Sequence, residues 1–328
     1  MVRPGAIFRL QYWIPLVRLK PVESFPKRLI SKIIWIFKRA LLNTESLLGF
    51  IGAKVTGKSE LGNVFLCFRK SCSIADKGRV ILIPKDYIIF DSVRFTGKWE
   101  IQSCEFLAEA FNKVEVDKKI ASVLLDIGAN SGMNTLQVAR LARNPIAAVC
   151  VEPLPLNLEA LEYNLNNCDK IAEYKILPYA LGAQISRSSI YEDPTNSGNS
   201  SLLDLNLKNQ LVTEIEVEST MNFISGLNNS GEMFALKIDT QGYEVEIISD
   251  FSPDFWSKIV RAVIEVRAQE GLSEDQVGGI LESISLFDTR HWGGEDSANL
   301  TMVEIRNFWL SGTYEERDLY LSNNRKAS

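Results

Sequence analysis

The sequence has little histidine and no closely paired cysteines. It contains a single histidine, His291, and its five cysteines form no Cys-x-x-Cys pair. Histidine and closely spaced cysteine are the usual ligands of zinc, so their scarcity disfavours a zinc centre. Cys150 and Cys168 lie in apolar strand or helix contexts, which is typical of reduced thiols. The sequence therefore predicts a cytoplasmic protein.

Long hydrophobic runs and a net positive charge are also missing. No run reaches the roughly 18 consecutive apolar residues that a membrane-spanning helix needs. Basic residues interrupt the first twenty positions throughout, which disfavours a secretory signal. The formal net charge of -5 disfavours a nucleic-acid-binding protein. A hydrophobic content of 46% is nevertheless enough for a sizeable core.

The N-terminal region differs in composition from the rest of the chain. Residues 1–60 form a basic segment in which residues 26–42 show the periodicity of a helix with one apolar face. Such a helix predicts either a peripheral contact with the inner face of a membrane or packing on the main domain or on a second subunit. The sequence divides further into a small β element with a lead-in helix, residues 61–115, and a main domain, residues 116–328. It leaves the oligomeric state open.

Strand and helix patterns follow one another from residue 61 onward. Short apolar runs within residues 61–95, including residues 87–90, predict a small antiparallel β element. A polar stretch rich in turn formers, residues 194–201, predicts a flexible loop. Repeated βα units imply a mostly parallel sheet covered by helices on both faces. The strands are predicted near residues 122–127, 147–152, 174–179, 234–239, 260–266, 284–288 and 318–322.

The most informative stretch is a strand, turn and helix at residues 122–132. An apolar strand ends in Asp126 and turns through Gly128 and Gly132, residues without a Cβ that let a backbone pass close to a ligand. The next strand ends in Glu152, where a nucleotide ribose would present its hydroxyl groups. Together these features predict a cofactor that contains a nucleoside.

The turn departs from the pattern that binds dinucleotides. Two of the three glycine positions of G-x-G-x-x-G hold Asn130 and Met133 instead. Asp126 before the turn would repel phosphate and favour an amine-bearing ligand. These departures favour S-adenosylmethionine, which has an α-amino group and a ribose but no phosphate. An NAD-dependent Rossmann dehydrogenase and a non-catalytic, membrane-associated module of the same fold remain as alternatives.

Several motifs occur in the order found in one family. The segments at 126–132, 97–100 (Gly-Lys-Trp-Glu) and 236–244 (with Lys-Ile-Asp-Thr-Gln-Gly-Tyr-Glu) resemble motifs of the FkbM-like family of class I methyltransferases. Residues 263–266 and 318–323 resemble its fifth and final strands. The resemblance covers roughly residues 97–323.

The resemblance implies a Rossmann-like α/β sheet of seven strands with the last antiparallel, preceded here by an N-terminal helical and β accessory region. It also implies S-adenosylmethionine as methyl donor, and transfer to a hydroxyl of a sugar, a glycan or another small hydroxylated metabolite. By position in the motifs, the cofactor-binding residues would be Asp126, Gly128, Asn130, Gly132, Glu152 on the ribose, Ala180 near the adenine, and Glu100.

The end of the fourth core strand carries the candidate catalytic residues. An alcohol is a poor nucleophile at neutral pH, so a general base is expected near the acceptor. Lys237 and Asp239 alternate along a strand and so share a face. Asp239 is predicted as the base or acceptor-orienting group, with Lys237 holding it, and Glu265 is a second candidate base. The loop residue His291 is interpreted as a bystander, and no metal site is predicted because two carboxylates do not complete one.

Overall fold

The structure is a computed structural model that describes residues 66–68, 81–84, 86–112, 121–193, 196–202, 211–227, 232–268, 272–293, 299–313 and 315–323. The predicted amphipathic helix at residues 26–42 lies outside the described residues. In the part of the chain that is described, no helix combines the length and apolar character needed to cross a membrane. The three cysteines whose side chains are described, Cys104, Cys150 and Cys168, are unpaired and buried.

The elements follow one another in an α/β pattern. The strands are β1 (Leu66–Phe68), β2 (Ile81–Ile83), β3 (Val123–Ile127), β4 (Ile146–Val151), β5 (Ile171–Leu177), β6 (Ala180–Gly182), β7 (Ser186–Asp193), β8 (Asn196–Ser201), β9 (Leu211–Ser219), β10 (Phe234–Ile238), β11 (Ile259–Arg267), β12 (Thr289–Trp292) and β13 (Glu316–Ser322). The helices are α1 (Tyr87–Thr96), α2 (Ile101–Asn112), α3 (Met133–Leu141), α4 (Pro155–Asn166), α5 (Thr220–Leu227), α6 (Glu244–Ser249), α7 (Pro253–Ser257), α8 (Glu274–Ile284) and α9 (Met302–Trp309).

A seven-stranded sheet forms the centre, in the order β12-β13-β11-β10-β3-β4-β5. Strand β13 pairs antiparallel with both β11 and β12, whereas the other neighbours in the sheet pair in parallel. The last strand is thus the antiparallel one, which confirms the predicted sheet. The chain runs outward from β3 through β4 to β5 and then returns to β10 on the other side of β3. Open α/β sheets bind ligands at such a switch point, beyond the carboxyl ends of the strands.

The central strands are apolar because both of their faces are covered. Every residue of β3 and β10 is buried, which fits parallel strands between helix layers. Helix α8 buries Val277, Ile280, Leu281 and Ile284 and begins with the predicted capping box of Ser273 and Gln276.

A second sheet, in the order β6-β9-β7-β8, was not predicted. Its strand β8 occupies most of the segment predicted as a flexible loop, so that prediction is wrong for residues 196–201. Ile190 of β7 and Ile215 of β9 form one buried cluster with Ala180 of β6 and with Leu154, which precedes helix α4. The sheet therefore forms a wall beside the carboxyl edge of β4.

Two further predictions of strands are wrong. Residues 87–90 belong to helix α1, because the side chain of Asp86 caps it by accepting hydrogen bonds from the N–H groups of Ile88 and Ile89. Helix α8 continues to Ile284, and the next strand begins only at Thr289. The antiparallel pairing of β1 with β2 was predicted and is confirmed.

Candidate active site

The turn between β3 and α3 contains three residues with left-handed backbone angles. Gly128, Asn130 and Gly132 have φ of 84°, 49° and 82°. A Cβ on Gly128 would lie 1.8 Å from the backbone oxygen of Asp239, and one on Gly132 would lie 2.7 Å from Cδ1 of Leu161. These two glycines are therefore required by the protein's own packing. A close approach of a ligand to Gly128 was predicted from the sequence. In the structure the backbone at the end of β10 makes that close approach.

The backbone N–H groups of this turn are all used inside the protein. Those of Gly128 and Ala129 donate to the carbonyl oxygen of Val151, at 2.9 and 3.0 Å. The remaining three donate to Oε2 of Glu152 (from Asn130, 2.9 Å), to Oδ1 of Asn130 (from Ser131, 2.6 Å) and to the carbonyl oxygen of Ala129 (from Gly132, 2.8 Å). A pyrophosphate needs free N–H donors at such a turn. The turn offers it none.

Glu152 organises the turn from the end of β4. It is buried, and besides Asn130 it accepts hydrogen bonds on Oε1 from the N–H of Leu154 (2.9 Å) and from Nδ2 of Asn157 (3.1 Å). Burial raises the pKa of Glu152 to about 7, although these hydrogen bonds act in the opposite direction. The carboxyl group therefore changes charge in the neutral range.

A cavity opens at the carboxyl ends of β3, β4 and β10. Five of the predicted residues contribute to its wall: Gly128, Asn130, Glu152, Ala180 and Asp239. Apolar side chains of the second sheet, including Leu181 of β6 and Ile190 of β7, also line the cavity. The turn predicted to bind a nucleoside and the candidate base thus contribute to one cavity.

Lys237 lies buried between two acidic side chains. Its Nζ is 3.1 Å from Oδ2 of Asp239 and 3.4 Å from Oε2 of Glu100. Burial lowers the pKa of Lys237, but the neighbouring carboxylates, Asp239 first, raise it well above its usual value. Burial likewise raises the pKa of Asp239, yet the charge of Lys237 and the hydrogen bonds to the carboxylate outweigh burial and hold this pKa below its usual range. Lys237 thus keeps Asp239 ionised.

Gln241 joins the two candidate bases and was missed in the sequence. Its Nε2 donates to Oδ1 of Asp239 (2.9 Å) and to Oε2 of Glu265 (2.7 Å). Burial, followed by the charge of Asp239, raises the pKa of Glu265 to about 10. Glu265 is therefore protonated at neutral pH, and Asp239 carries the charge of the pair. Ser201 of β8 donates a hydrogen bond to the carbonyl oxygen of Gln241 at 2.7 Å and so holds the segment that follows β10.

Three predicted cofactor-binding residues lie outside the wall of this cavity. Asp126 is buried in register with Lys237, and its Oδ2 accepts a hydrogen bond from Thr135 of α3. Burial raises the pKa of Asp126 to about 6. Gly132 begins helix α3, and Glu100 lines a neighbouring cleft that also contains Trp292. The structure thus places Asp126 and Glu100 beside Lys237, and Gly132 at the end of the turn between β3 and α3.

His291, interpreted as a loop residue, lies on the edge strand β12. Its ring stacks on Tyr320 with a centroid distance of 5.0 Å and meets the edge of Phe106 at 5.7 Å. The histidine does not contribute to the wall of the cavity that holds Asp239. Its surroundings are those of an aromatic packing cluster.

Comparison with known proteins supports one family. The sequence profile described as the methyltransferase FkbM domain matches residues 126–295. No curated protein shows a significant match. A methyltransferase FkbM from Methylobacillus flagellatus KT has 13% sequence identity and a TM-score of 0.36, over 61% of this chain and 43% of that protein. The chain therefore spans less than half the length of that protein.

Other solved structures match over most of their length. An O-methyltransferase from Bacillus cereus, in complex with SAH, is 11% identical with a TM-score of 0.35, over 73% of this chain and 98% of that protein. The cofactor-bound Rv0187 protein from MTB is 13% identical with a TM-score of 0.33, over 74% of this chain and 98% of that protein.

Proposed function

The chain belongs to the methyltransferase FkbM domain family, and from that premise we propose that it transfers a methyl group from S-adenosylmethionine to a hydroxyl oxygen. The proposed acceptor is a sugar, a glycan or another small hydroxylated metabolite. The observation that carries the choice of cofactor is the complete internal pairing of the N–H groups from Gly128 to Gly132.

The chemistry of the cavity fits a cofactor without phosphate. Its wall contains three side chains that carry hydrogen-bond acceptors: Glu152, Asp239 and Asn157. Such atoms suit a ligand that carries donors, and S-adenosylmethionine has ribose hydroxyls and an α-ammonium group. Phosphate oxygens would meet carboxyl groups there and find no turn N–H to bind them. The cavity is therefore a better fit to this cofactor than to NAD.

Asp239 is the residue proposed to act on the acceptor. When bound, the cofactor would supply an electrophilic methyl group on a positively charged sulfur. Asp239 is ionised and fixed by Lys237 and Gln241, so its carboxylate is ready to accept a hydrogen bond from the acceptor hydroxyl and then to hold the proton that the hydroxyl loses. Its low pKa makes it a weak base, so orientation of the hydroxyl is a large part of its contribution.

Binding and transfer test this proposal in two steps. Calorimetric titration of the full chain with S-adenosylhomocysteine is expected to show binding, and titration with NAD is expected to show none. Transfer of labelled methyl groups is then measured with a panel of methyl glycosides. Binding of NAD without binding of S-adenosylhomocysteine would contradict the proposal.

The substitution Asp239→Asn removes the proposed proton acceptor but keeps the shape of the side chain. We expect transfer to fall by roughly 10² to 10⁴-fold, the usual contribution of a positioned acid or base, with S-adenosylhomocysteine still bound. Asp254→Asn is the matched control, because Asp254 is exposed on helix α7. Transfer by Asp239→Asn at the level of this control would show that Asp239 is not the base.

A further inference from the structure

Helix α4 buries two asparagines among its apolar residues, and their amide groups differ in one respect. Asn164 is fully engaged: Oδ1 accepts from the N–H of Leu82 (2.8 Å), and Nδ2 donates to the carbonyl oxygens of Leu82 (2.7 Å) and Ser131 (2.8 Å). Asn157 is 2% exposed and uses Nδ2 to donate to Glu152. Its Oδ1 has no hydrogen-bond partner among the described residues.

The orientation of the Asn157 amide is fixed by its neighbour. Oε1 of Glu152 already accepts a hydrogen bond from the N–H of Leu154, so it is an acceptor and the NH₂ side of Asn157 must face it. The carbonyl side of the amide then points away from Glu152. Asn157 contributes to the wall of the cavity that contains Glu152 and Asp239.

A buried carbonyl oxygen without a donor is rare in native proteins. An isolated one beside a ligand cavity indicates where a ligand donor belongs. Asn157 and Glu152 lie side by side and form two adjacent acceptor groups. A ribose offers two adjacent hydroxyl donors, whereas the adenine base offers one amino group. The part of the wall formed by Ala180, Leu181 and Ile190 is apolar and suits the flat face of a base instead.

We propose that Asn157 is a cofactor-binding residue whose Oδ1 accepts a hydrogen bond from a ribose hydroxyl, next to Glu152. The assignment rests on the proposed function, because it takes the ligand to be an adenosyl compound. Asn157, on α4, would be a second ribose-binding residue, five positions after Glu152 at the end of β4. The residue would thereby determine selectivity for an intact ribose.

The test compares ligands that differ by one hydroxyl. The affinities of S-adenosylhomocysteine and of its 2′-deoxy and 3′-deoxy analogues are measured by calorimetry on the full wild-type chain. The same titrations are made with Asn157→Ala and Asn157→Asp. Asn166→Ala is the matched control, because it removes an exposed asparagine from the same helix that does not contribute to the cavity wall.

One hydrogen bond predicts a preference of about 5- to 10-fold for S-adenosylhomocysteine over the analogue that lacks the hydroxyl facing Asn157. In Asn157→Ala this preference is expected to fall below about 2-fold, while the preference for the other hydroxyl stays. Asn157→Asp retains an acceptor oxygen but replaces the NH₂ group that donates to Oε1 of Glu152 by a second carboxyl oxygen, so the preference should be kept only at a pH at which the two carboxyl groups share a proton. Asn166→Ala is expected to discriminate as the wild type does.

The possible failures are distinct. If the wild-type chain does not bind S-adenosylhomocysteine at all, the proposed function is overturned and this inference with it. If the wild type binds and Asn157→Ala keeps both preferences, only the role of Asn157 is overturned. S-Inosylhomocysteine, which lacks the adenine amino group, is titrated in the same way. If Asn157→Ala instead loses the preference for S-adenosylhomocysteine over this analogue, the residue contacts the base, and the assignment to the ribose is wrong.

Discussion

Replacing Gly128 by alanine is expected to separate two strands that meet at the active site. Gly128 has φ of 84°, and an added Cβ would lie 1.8 Å from the backbone oxygen and 2.8 Å from the backbone carbon of Asp239. Both are backbone atoms, so no side-chain rotation can relieve the overlap. The end of β10 would have to move away from β3 by more than an ångström or so, which is a large shift for a close-packed interior.

The expected loss of stability can be worked from these contacts. The left-handed conformation disfavours a non-glycine residue by about 1–2 kcal/mol. The displacement also breaks the hydrogen bond from the N–H of Asp239 to the carbonyl oxygen of Ile127, now 2.9 Å long, which is worth about 1 kcal/mol. Repacking of the buried strand ends adds a further 1–3 kcal/mol, as overpacking usually does. We expect the free energy of unfolding to fall by about 3–6 kcal/mol in total.

Urea denaturation of three alanine variants tests this reasoning. Gly132→Ala should lose less stability than Gly128→Ala, because its close contact is the flexible end of Leu161. Gly278→Ala is the control: its Cβ meets nothing within 4 Å on helix α8, so a gain of up to about 1 kcal/mol is expected. A loss below about 1 kcal/mol for Gly128→Ala would refute the argument, since the φ angle alone predicts that much.

Two further predictions concern buried acids. Between pH 4.5 and about 7 folded Glu152 binds more protons than the unfolded chain, so its contribution to stability falls as pH rises. Glu152→Gln should therefore lose less stability than the wild type between pH 5 and 8, by about 2.5 kcal/mol in urea denaturation. Equal losses would contradict the shift. Gln241→Glu adds a third carboxyl group between Asp239 and Glu265, so it should lower the melting temperature more at pH 8 than at pH 6. The control is Gln276→Glu, in an exposed capping box that accepts either residue, and it should leave the melting temperature unchanged at both pH values. A pH-independent effect of Gln241→Glu would show that charge is not the cause.

The sequence predicted the central sheet because its signals are local. An apolar run that ends in a charged residue and is followed by a glycine turn indicates a strand. It also indicates the edge of the sheet at which the last residue of that strand lies. Asp126, Glu152 and Asp239 are accordingly found at the carboxyl edge, as expected. The register between β3 and β10 places Lys237 beside Asp126. The alternation of residues within one strand does not predict which residue of a neighbouring strand lies beside it.

The second sheet escaped prediction because its strands are polar. Residues 186–193 and 196–201 are rich in serine and asparagine, which favour turns. Strand β7 forms by pairing with β9, which comes later in the chain, and β8 forms by pairing with β7. Asn157 left a signal that could have been used. It stands four residues before Leu161 on the apolar face of α4, where a polar residue requires a partner. Gln241 left none beyond its position before Gly242.

The position of β13 has a consequence for synthesis of the protein on the ribosome. Strand β12 reaches the sheet only through β13, and Ser103 at the start of α2 bonds to Asp318 and Tyr320, more than 200 residues later. Until residues 316–322 have left the ribosome, β11 has an open edge that can pair with other chains. We expect nascent chains stalled before Glu316 to depend on chaperones, and the cluster around Lys237 to assemble only after the final strand has inserted.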